Sequence, residues 1–366
     1  MNRQESAVRP FVHSGSPARI VFGRGARDGV KEEVERLGAR RAVVLSTPQQ
    51  RESAELLADD MGALGVGVID RATMHTPVEV TAEALVEIEQ LGADCVVALG
   101  GGSTTGLGKA IAARTGLPQV AVPTTYAGSE VTPILGETDN GMKTTRRGPE
   151  ILPETVVYDP ALTDSLPISL SVASGLNAMA HAAEGVYARD GSPIFTLMAL
   201  EGLAALRDAL RELTSDPADH DARDRALYGA WLCGTVLGGV GMSVHHKLCH
   251  TVGGALDLPH AQTHAILLPH TIGFVEETEP TVLAPVADLF GGSAGGGLHD
   301  FAVELGAPLR LSELGVTPEQ LDRVADLALD APYWSPRPLE RDSIRRLLQH
   351  AYDGTRPESA PHGGSA

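Results

Sequence analysis

Histidines are concentrated in one short stretch of this chain. Of the 13 histidines in 366 residues, six fall between positions 245 and 270: His245, His246, His250, His260, His264 and His270. Histidine exchanges protons near neutral pH and is the commonest side chain on protein-bound metals. The stretch is therefore expected to form a site for proton transfer or metal binding.

A seventh histidine is spaced like a metal ligand on a helix. His181 follows Asn177 by four residues, and His250 follows His246 by the same interval. Side chains at i and i+4 project from one face of a helix. The pattern is that of a metal site, except that the neutral Asn177 stands where an anionic ligand is expected.

A glycine-rich turn is the second candidate site. The run VVALGGGSTTGLGK leads from a strand-like segment into a helix, and it matches neither the GxGxxG fingerprint nor the P-loop. Backbone N–H groups of such a turn bind phosphate, and ligands of parallel sheets lie at the carboxyl ends of the strands. A ligand-free turn is the alternative, and we favour a pyrophosphate loop. The residues expected to bind the cofactor are Gly100, Gly101, Gly102, Ser103 and Thr104, with Thr124, Thr125 and Ser129 from VPTTYAGSEVT and Ser46 after RAVVL.

Two sequence patterns must position these residues. Up to about residue 160, short β-branched runs alternate with helical segments, which predicts a Rossmann-like α/β domain with a parallel sheet. Beyond it we predict an all-helical domain, residues 161–355, and a disordered tail, residues 356–366. The predicted helical segments are 168–188, 192–214, 219–242, 259–277, 280–290, 316–330 and 339–352.

The composition limits the partners and the compartment. A net charge of -18 argues against nucleic acid and anionic membranes, which need a basic surface. The three cysteines form no CxxC motif, and no apolar leader or run of about 20 apolar residues occurs. We therefore expect a cytoplasmic protein.

The motifs occur together in the order typical of the iron-containing alcohol dehydrogenases. The chain resembles that family through GGGSTTGLGK, VPTTYAGSEVT, YDPALTDSLP, NAMAH and HHKLCHTVGGALDLPHAQTHAILLPH, over about residues 15–350. Within the family it is most similar to the maleylacetate reductases. The resemblance implies a homodimer that uses NADH or NADPH to reduce the C=C bond of the dianion maleylacetate to 3-oxoadipate, in the degradation of aromatic compounds.

Two departures from the family pattern bear on the metal. The family's ligands, an Asp and three His, correspond to Asn177, His181, His246 and His260. Three imidazoles can hold zinc, but iron without an anionic ligand is bound less tightly, and we expect no metal. In the glycine loop, Gly106 and Gly108 replace the family's Asp and Ala.

The resemblance also suggests roles for single residues. A partly protonated cluster of His181, His246, His250 and His260, together with Lys247, is expected to stabilise an enolate and deliver a proton. Asn177, Tyr126 and Arg337 are expected to bind substrate, with Arg146 and Arg147 as weaker candidates. Lys143 matches a family lysine near the cofactor. His264 is expected behind the cluster, and His270 at the end of a helix.

Three other functions remain open. The first is a metal-dependent alcohol or polyol dehydrogenase of the same family, in which Asn177 is a tolerated ligand. The second is a lyase like 3-dehydroquinate synthase, and the third is a nucleotide sensor without catalysis. As for the cofactor, no acidic residue follows RAVVLS until Glu52. Because an acid there would repel a 2′-phosphate, we expect NADPH to be tolerated alongside NADH.

Overall fold

The structure is a computed structural model that describes residues 11–15, 18–139, 142–330 and 333–358. Most of the predicted disordered tail, residues 359–366, lies outside the described residues. At the start of that tail, Arg356 forms an ion pair with Asp300.

Six parallel strands form the sheet of the first part of the chain. Their order is β1-β8-β5-β4-β2-β3. The central strands are buried along their whole length, which explains their apolar, β-branched composition. The strands of this sheet are β1 Arg19–Phe22, β2 Ala42–Leu45, β3 Gly65–Ile69, β4 Cys95–Gly100, β5 Gln119–Pro123 and β8 Thr155–Tyr158. The helices between them are α1 Val30–Arg36, α2 Arg51–Asp60, α3 Val78–Leu91 and α4 Gly102–Thr115.

An antiparallel hairpin that the sequence did not predict interrupts this alternation. It consists of β6, Ile134–Asp139, and β7, Met142–Arg147. Its strands carry many charged and hydroxyl side chains, so they lack the apolar run that marks the other strands.

The second part of the chain is helical, with helices α5 Ile168–Val186, α6 Pro193–Ser215, α7 His220–Gly239, α8 Val244–Leu256, α9 His260–Glu276, α10 Pro280–Leu289, α11 Ala294–Glu304, α12 Pro318–Leu329 and α13 Arg341–Asp353. Helices α8 and α11 were absent from the predicted segments. Helix α11 opens with AGGG, which disfavours a helix, but Glu276 accepts hydrogen bonds from the N–H groups of Ala294 and Gly295. Capping from α9 thus compensates for weak intrinsic propensity.

The largest hydrophobic cluster connects the helical part to the sheet, whereas separate clusters lie between the sheet and its own helices. The largest cluster joins the helices to Tyr126, which follows β5, and to Val156 and Tyr158 on β8. This arrangement confirms the predicted fold class, a parallel α/β part followed by a helical part. Among the described residues, no single helix is long and apolar enough to cross a membrane; α7 and α8 pass that test only as a pair bent by 95°.

Candidate active site

The glycine loop is built as the sequence predicts, at the carboxyl end of β4. Strand β4 ends at Gly100, Gly101 precedes the first turn of α4, and the N–H of Thr124 donates to the carbonyl of Gly100 at 3.0 Å. Gly100 has φ 155°, and a Cβ there would lie 2.3 Å from Oγ1 of Thr104. Only glycine therefore allows this approach between loop and helix.

Buried hydroxyl groups around this loop fit a dinucleotide. Within the described part of the chain, the side-chain oxygens of Ser46, Thr104 and Ser129 are buried without a hydrogen-bond partner. Buried hydroxyls are normally satisfied, and these three come from three predicted cofactor segments. Thr124 accepts from the side-chain amide of Gln50 at 2.9 Å. Lys143 lies on β7, but its side chain lies outside the described residues.

A close contact joins the cofactor segment to the histidines. Gly128 adopts φ 77°, and a Cβ there would lie 2.9 Å from Cα of Gly234 on α7. The preceding carbonyl, of Ala127, lies 3.3 Å from Nε2 of His181. The loop after β5 thus places backbone groups directly against α5.

Three helices bring six histidines into one cluster. Helix α5 supplies His181, α8 supplies His245, His246 and His250, and α9 supplies His260 and His264. His264 lies at the centre, because its ring centroid is 4.3 Å from that of His260, 4.9 Å from His245 and 5.1 Å from His246. The four histidines predicted to be catalytic are therefore together, with His246 and His250 at 6.2 Å and His250 stacked on His260 at 6.2 Å.

A buried carboxylate that the sequence interpretation missed supports this cluster. Glu184 lies three residues after His181 on the same helix, is fully buried, and accepts a hydrogen bond from Nδ1 of His246. Nε2 of His246 then lies 2.9 Å from Nδ1 of His181. The i,i+3 spacing between His181 and Glu184 was the available signal. It was overlooked because the search for an anion stopped at Asn177.

The hydrogen bonds of His181 and His246 depend on how many protons the two rings carry. When Nδ1–H of His181 donates to His246, Nε2 of His181 accepts from the amide of Asn177, which lies 3.4 Å away. When Nε2–H of His246 donates instead, Nε2–H of His181 donates to the carbonyl of Ala127. The two arrangements differ by one proton, so the pair can take up or release a proton at Nε2 of His181.

A second chain of hydrogen bonds fixes His264. Thr271 donates its hydroxyl proton to the carbonyl of Leu267 at 3.0 Å, so its oxygen accepts from Nδ1–H of His245 at 2.8 Å. Nε2 of His245 then accepts from Nδ1–H of His264 at 3.0 Å. Nε2 of His264 is then unprotonated, and among the described residues it is buried without a hydrogen-bond partner.

Burial keeps several of these imidazoles neutral. It lowers the pKa of His181, His245 and His264 well below 6.5, and neighbouring histidines lower each pKa further. A protonated imidazole at any of these positions would be a poorly solvated cation. For His181, burial thus opposes the partly protonated state that the sequence analysis expected.

The family's metal positions differ in one donor in this chain. Asn177 offers an amide where the family has a carboxylate, and both nitrogens of His246 are engaged, by Glu184 and His181. In the described ranges, the only three such ligand atoms within 4.8 Å of one another belong to His245, Cys249 and His264. In that group the imidazoles bond each other and Thr271.

A cleft of about 350 Å³ opens beside the cluster, between the two parts of the chain. Helices α8 and α9 contribute Cys249 and His260, and the first part contributes His75 and Thr138. His75 and Thr76 have φ values of 65° and 46°, an uncommon conformation for residues other than glycine. Oγ1 of Thr76 fills the space at Gly106, where a Cβ would lie 2.4 Å away. Glycine at position 106 thus leaves room for Thr76 and its loop to pack against α4.

The other predicted substrate and cation residues have partners outside the cluster. The ammonium of Lys247 lies 5.5 Å from the ring centroid of Tyr333, and Arg337 pairs with Glu277 and donates to the carbonyl of Phe274. The remaining placements are as follows: Tyr126 is fully buried and accepts from Arg223, Arg146 donates to the carbonyl of Ala113, and Arg147 donates to that of Gly238.

His270 differs from its expectation. It was expected to end a helix, but it lies inside α9, buried, with its ring centroid 6.5 Å from that of His299. Its place in an apolar helix explains why burial lowers the pKa of His270 to about 3.

Comparison with known proteins identifies relatives over the whole described chain. The family model "Iron-containing alcohol dehydrogenase" matches residues 17–160, and the model "Fe-containing alcohol dehydrogenase family, C-terminal" matches residues 171–352. Maleylacetate reductase from Rhizobium sp. (strain MTP-10005) is 63% identical, covering 96% of this chain and 100% of the relative. The maleylacetate reductase of Burkholderia cepacia is 54% identical over the same shares. The crystal structure of maleylacetate reductase from Agrobacterium tumefaciens superposes with a TM-score of 0.93 at 63% identity, covering 95% of this chain and 100% of that one.

Proposed function

Because the chain belongs to the iron-containing alcohol dehydrogenase family, we propose that it is an oxidoreductase acting as a maleylacetate reductase. It reduces the C=C bond of maleylacetate to give 3-oxoadipate. The observation that carries this proposal is the near-complete similarity to maleylacetate reductases at up to 63% identity. The histidine cluster with Asn177 in place of an anionic ligand agrees with it.

The reaction needs a proton donor for the α carbon of the substrate, next to the ketone. A reduced nicotinamide bound at the glycine loop would supply a hydride to the carbon β to the ketone, so that negative charge would develop on the ketone oxygen. Neutral imidazoles that donate hydrogen bonds stabilise such an enolate. The pair of His181 and His246 delivers the proton from Nε2 of His181, because that nitrogen gains and loses a proton as the pair rearranges.

The substrate is a dianion, and the cluster offers it donors rather than fixed cations. The expected cations, Lys247 and Arg337, have protein partners. Helix α9 begins at His260 without a side-chain cap, and His260 lines the cleft. Unpaired N–H groups of a helix N-terminus attract carboxylates. We therefore assign the first turn of α9 and the imidazoles of His250 and His260 to carboxylate and enolate binding.

The cofactor is NADH or NADPH, held by the glycine loop. The buried hydroxyls of Ser46, Thr104 and Ser129 support this placement. No acidic residue stands directly after β2, where Ser46 to Gln50 form the turn. A 2′-phosphate is therefore not repelled there.

The reaction proceeds without a metal on this proposal. The support is the donor set, because the neutral amide of Asn177 stands where the family has an anionic carboxylate. We further propose a cytoplasmic location, in line with three buried cysteines that form no disulfide, and a homodimer, in line with the family resemblance.

The direct test supplies the purified protein with maleylacetate, generated enzymatically, and follows the loss of NADH absorbance. Stoichiometric formation of 3-oxoadipate, identified by mass spectrometry, is the expected result. Oxidation of simple alcohols with NAD⁺, but no reduction of maleylacetate, would instead favour the alcohol dehydrogenase alternative.

A further inference from the structure

Glu184 is the most completely bonded carboxylate of the site. It is fully buried on α5, and its two oxygens accept from Nδ1 of His246, from the backbone N–H of His245 at 2.9 Å and of His246 at 3.4 Å, and from the hydroxyl of Tyr187 at 3.1 Å. Every one of these contacts uses Glu184 as an acceptor. A buried carboxyl group with so many donors is built for one orientation.

The backbone contacts make Glu184 a cap for α8. The residue before that helix, Ser243, donates its hydroxyl to the carbonyl of Trp334 and provides no side-chain cap. The N–H groups of His245 and His246 would otherwise be unpaired in a buried helix N-terminus. Glu184 satisfies both, so it fixes the position of α8 relative to α5.

The side-chain contact decides the tautomer of His246. Because the carboxylate only accepts, the proton of His246 must stay on Nδ1, and Nε2 is the nitrogen presented to His181 at 2.9 Å. A carboxylate that orients an imidazole in this way is the third member of a catalytic triad in hydrolases. In this chain, Glu184 orients His246 in the same way, and His246 in turn contacts the imidazole of His181.

We propose that Glu184 is a positioning residue, which caps α8 and orients the ring of His246 with Nδ1–H toward its own carboxylate and Nε2 toward His181. This inference rests on the proposed function. The contacts of Glu184 are with α8 and Tyr187, so we expect it to act on the reaction through the orientation of His246 and the position of α8.

The test is the substitution Glu184→Gln, which keeps the size of the side chain. The amide oxygen still caps α8, but the amide N–H₂ faces Nδ1 of His246 and forces its proton onto Nε2. We expect kcat for maleylacetate to fall by about 100-fold or more, with the KM for NADH changed less than about twofold. The solvent deuterium isotope effect on kcat should rise, because proton transfer then limits turnover.

The matched control is Glu276→Gln. Glu276 is also a buried glutamate that caps a helix, since it accepts from Ser293 and from the N–H groups of Ala294 and Gly295. A purely structural role predicts the same outcome for both variants. We expect the control to lower the thermal midpoint without changing the isotope effect.

A second readout separates this inference from the proposed function. NMR of protein labelled with ¹⁵N-histidine reports which ring nitrogen carries the proton, whether or not the protein reduces maleylacetate. The signals of His246 are identified by their absence from the spectrum of His246→Gln. We expect Glu184→Gln to move the proton of His246 from Nδ1 to Nε2. An unchanged tautomer, or a kcat equal to that of the wild type in the folded variant, would overturn the proposal.

If Glu184→Gln does not fold, Tyr187→Phe takes its place. It removes one hydrogen bond to Glu184 and leaves the cap of α8 intact. We expect a several-fold lower kcat, with a raised solvent isotope effect. A wild-type isotope effect in that variant would count against the proposal.

Discussion

The substitution Asn177→Asp tests how the neutral ligand position shapes this site. Asn177 is buried, and its amide nitrogen lies 3.4 Å from Nε2 of His181. A carboxylate at that place restores the anionic ligand of the family without changing the size of the side chain. It therefore changes charge alone.

The expected electrostatic effect of the new carboxylate on His181 and on a bound cation is large. A unit charge 3.4 Å from Nε2 of His181 interacts with a positive charge there by about 5 kcal/mol at an effective dielectric constant of about 20. Burying the carboxylate costs several kcal/mol, which consumes much of that energy. A net gain of only about 1.4 kcal/mol for a cation still means tenfold tighter binding.

We therefore expect Asn177→Asp to bind Zn²⁺ at least about tenfold more tightly than the wild type, and to reduce maleylacetate more slowly. The new carboxylate opposes the burial that lowers the pKa of His181 and favours its charged form, so His181 leaves the neutral state that the proposed pair requires. Equilibrium dialysis with metal analysis measures the first effect, and chelator-treated kinetics the second. Asn177→Leu is the uncharged control and should gain no metal. Equal Zn²⁺ affinity in the Asp variant and the wild type would refute the electrostatic argument.

Further expectations concern stability, the cofactor segments and pH. Thr271→Val leaves the buried Nδ1–H of His245 without its acceptor and should cost about 1–3 kcal/mol in urea unfolding; a cost under about 0.5 kcal/mol would contradict the proposed tautomers. Gly128→Ala places a Cβ 2.9 Å from Cα of Gly234 at φ 77°, so we expect weaker NADH binding by fluorescence titration and a lower thermal midpoint, whereas Gly116→Ala, with φ 71° and open space, should affect only the midpoint. Values of kcat/KM for NADH and NADPH should be comparable, and a thousandfold preference for NADH would show that the turn after β2 excludes the 2′-phosphate. His270 is neutral in the folded protein, with its pKa lowered from 6.5 to about 3, so the unfolded chain binds the extra proton and stability falls as the pH drops below 6.5. The loss approaches about 1.4 kcal/mol per pH unit for each such proton, and His270→Gln should flatten the decline between pH 6.5 and 5 by up to that amount.

The fold could largely be predicted because its signals are local. Apolar runs such as CVVALG and QVAVP are strands buried on both faces, and the glycine loop follows β4 as expected. The hairpin of β6 and β7 and the helix α11 could not be predicted in this way. The hairpin has polar strands, and α11 depends on capping by Glu276, which is distant in sequence.

The site could be predicted only in its residue types. The spacing of His181, His246, His250 and His260 indicated one cluster, and the structure brings these four together. Sequence spacing does not show which nitrogen bonds which, so Glu184 and the hydrogen bonds of His264 were missed. Sequence alone also does not show which partners the predicted cations have. Arg337 and Lys247 look available in a sequence, but tertiary packing gives them Glu277 and Tyr333 as partners.

The central claim is that the protein uses NADH or NADPH to reduce maleylacetate without a metal, with the histidine cluster supplying hydrogen bonds and a proton. The most direct measurement is the rate of NADH oxidation with maleylacetate by protein that has been exhaustively chelated and whose metal content has been determined by mass spectrometry. The account predicts full activity at a metal content far below one ion per chain, and no increase on addition of Fe²⁺ or Zn²⁺. Activity that disappears with the metal and returns on adding either ion would contradict it.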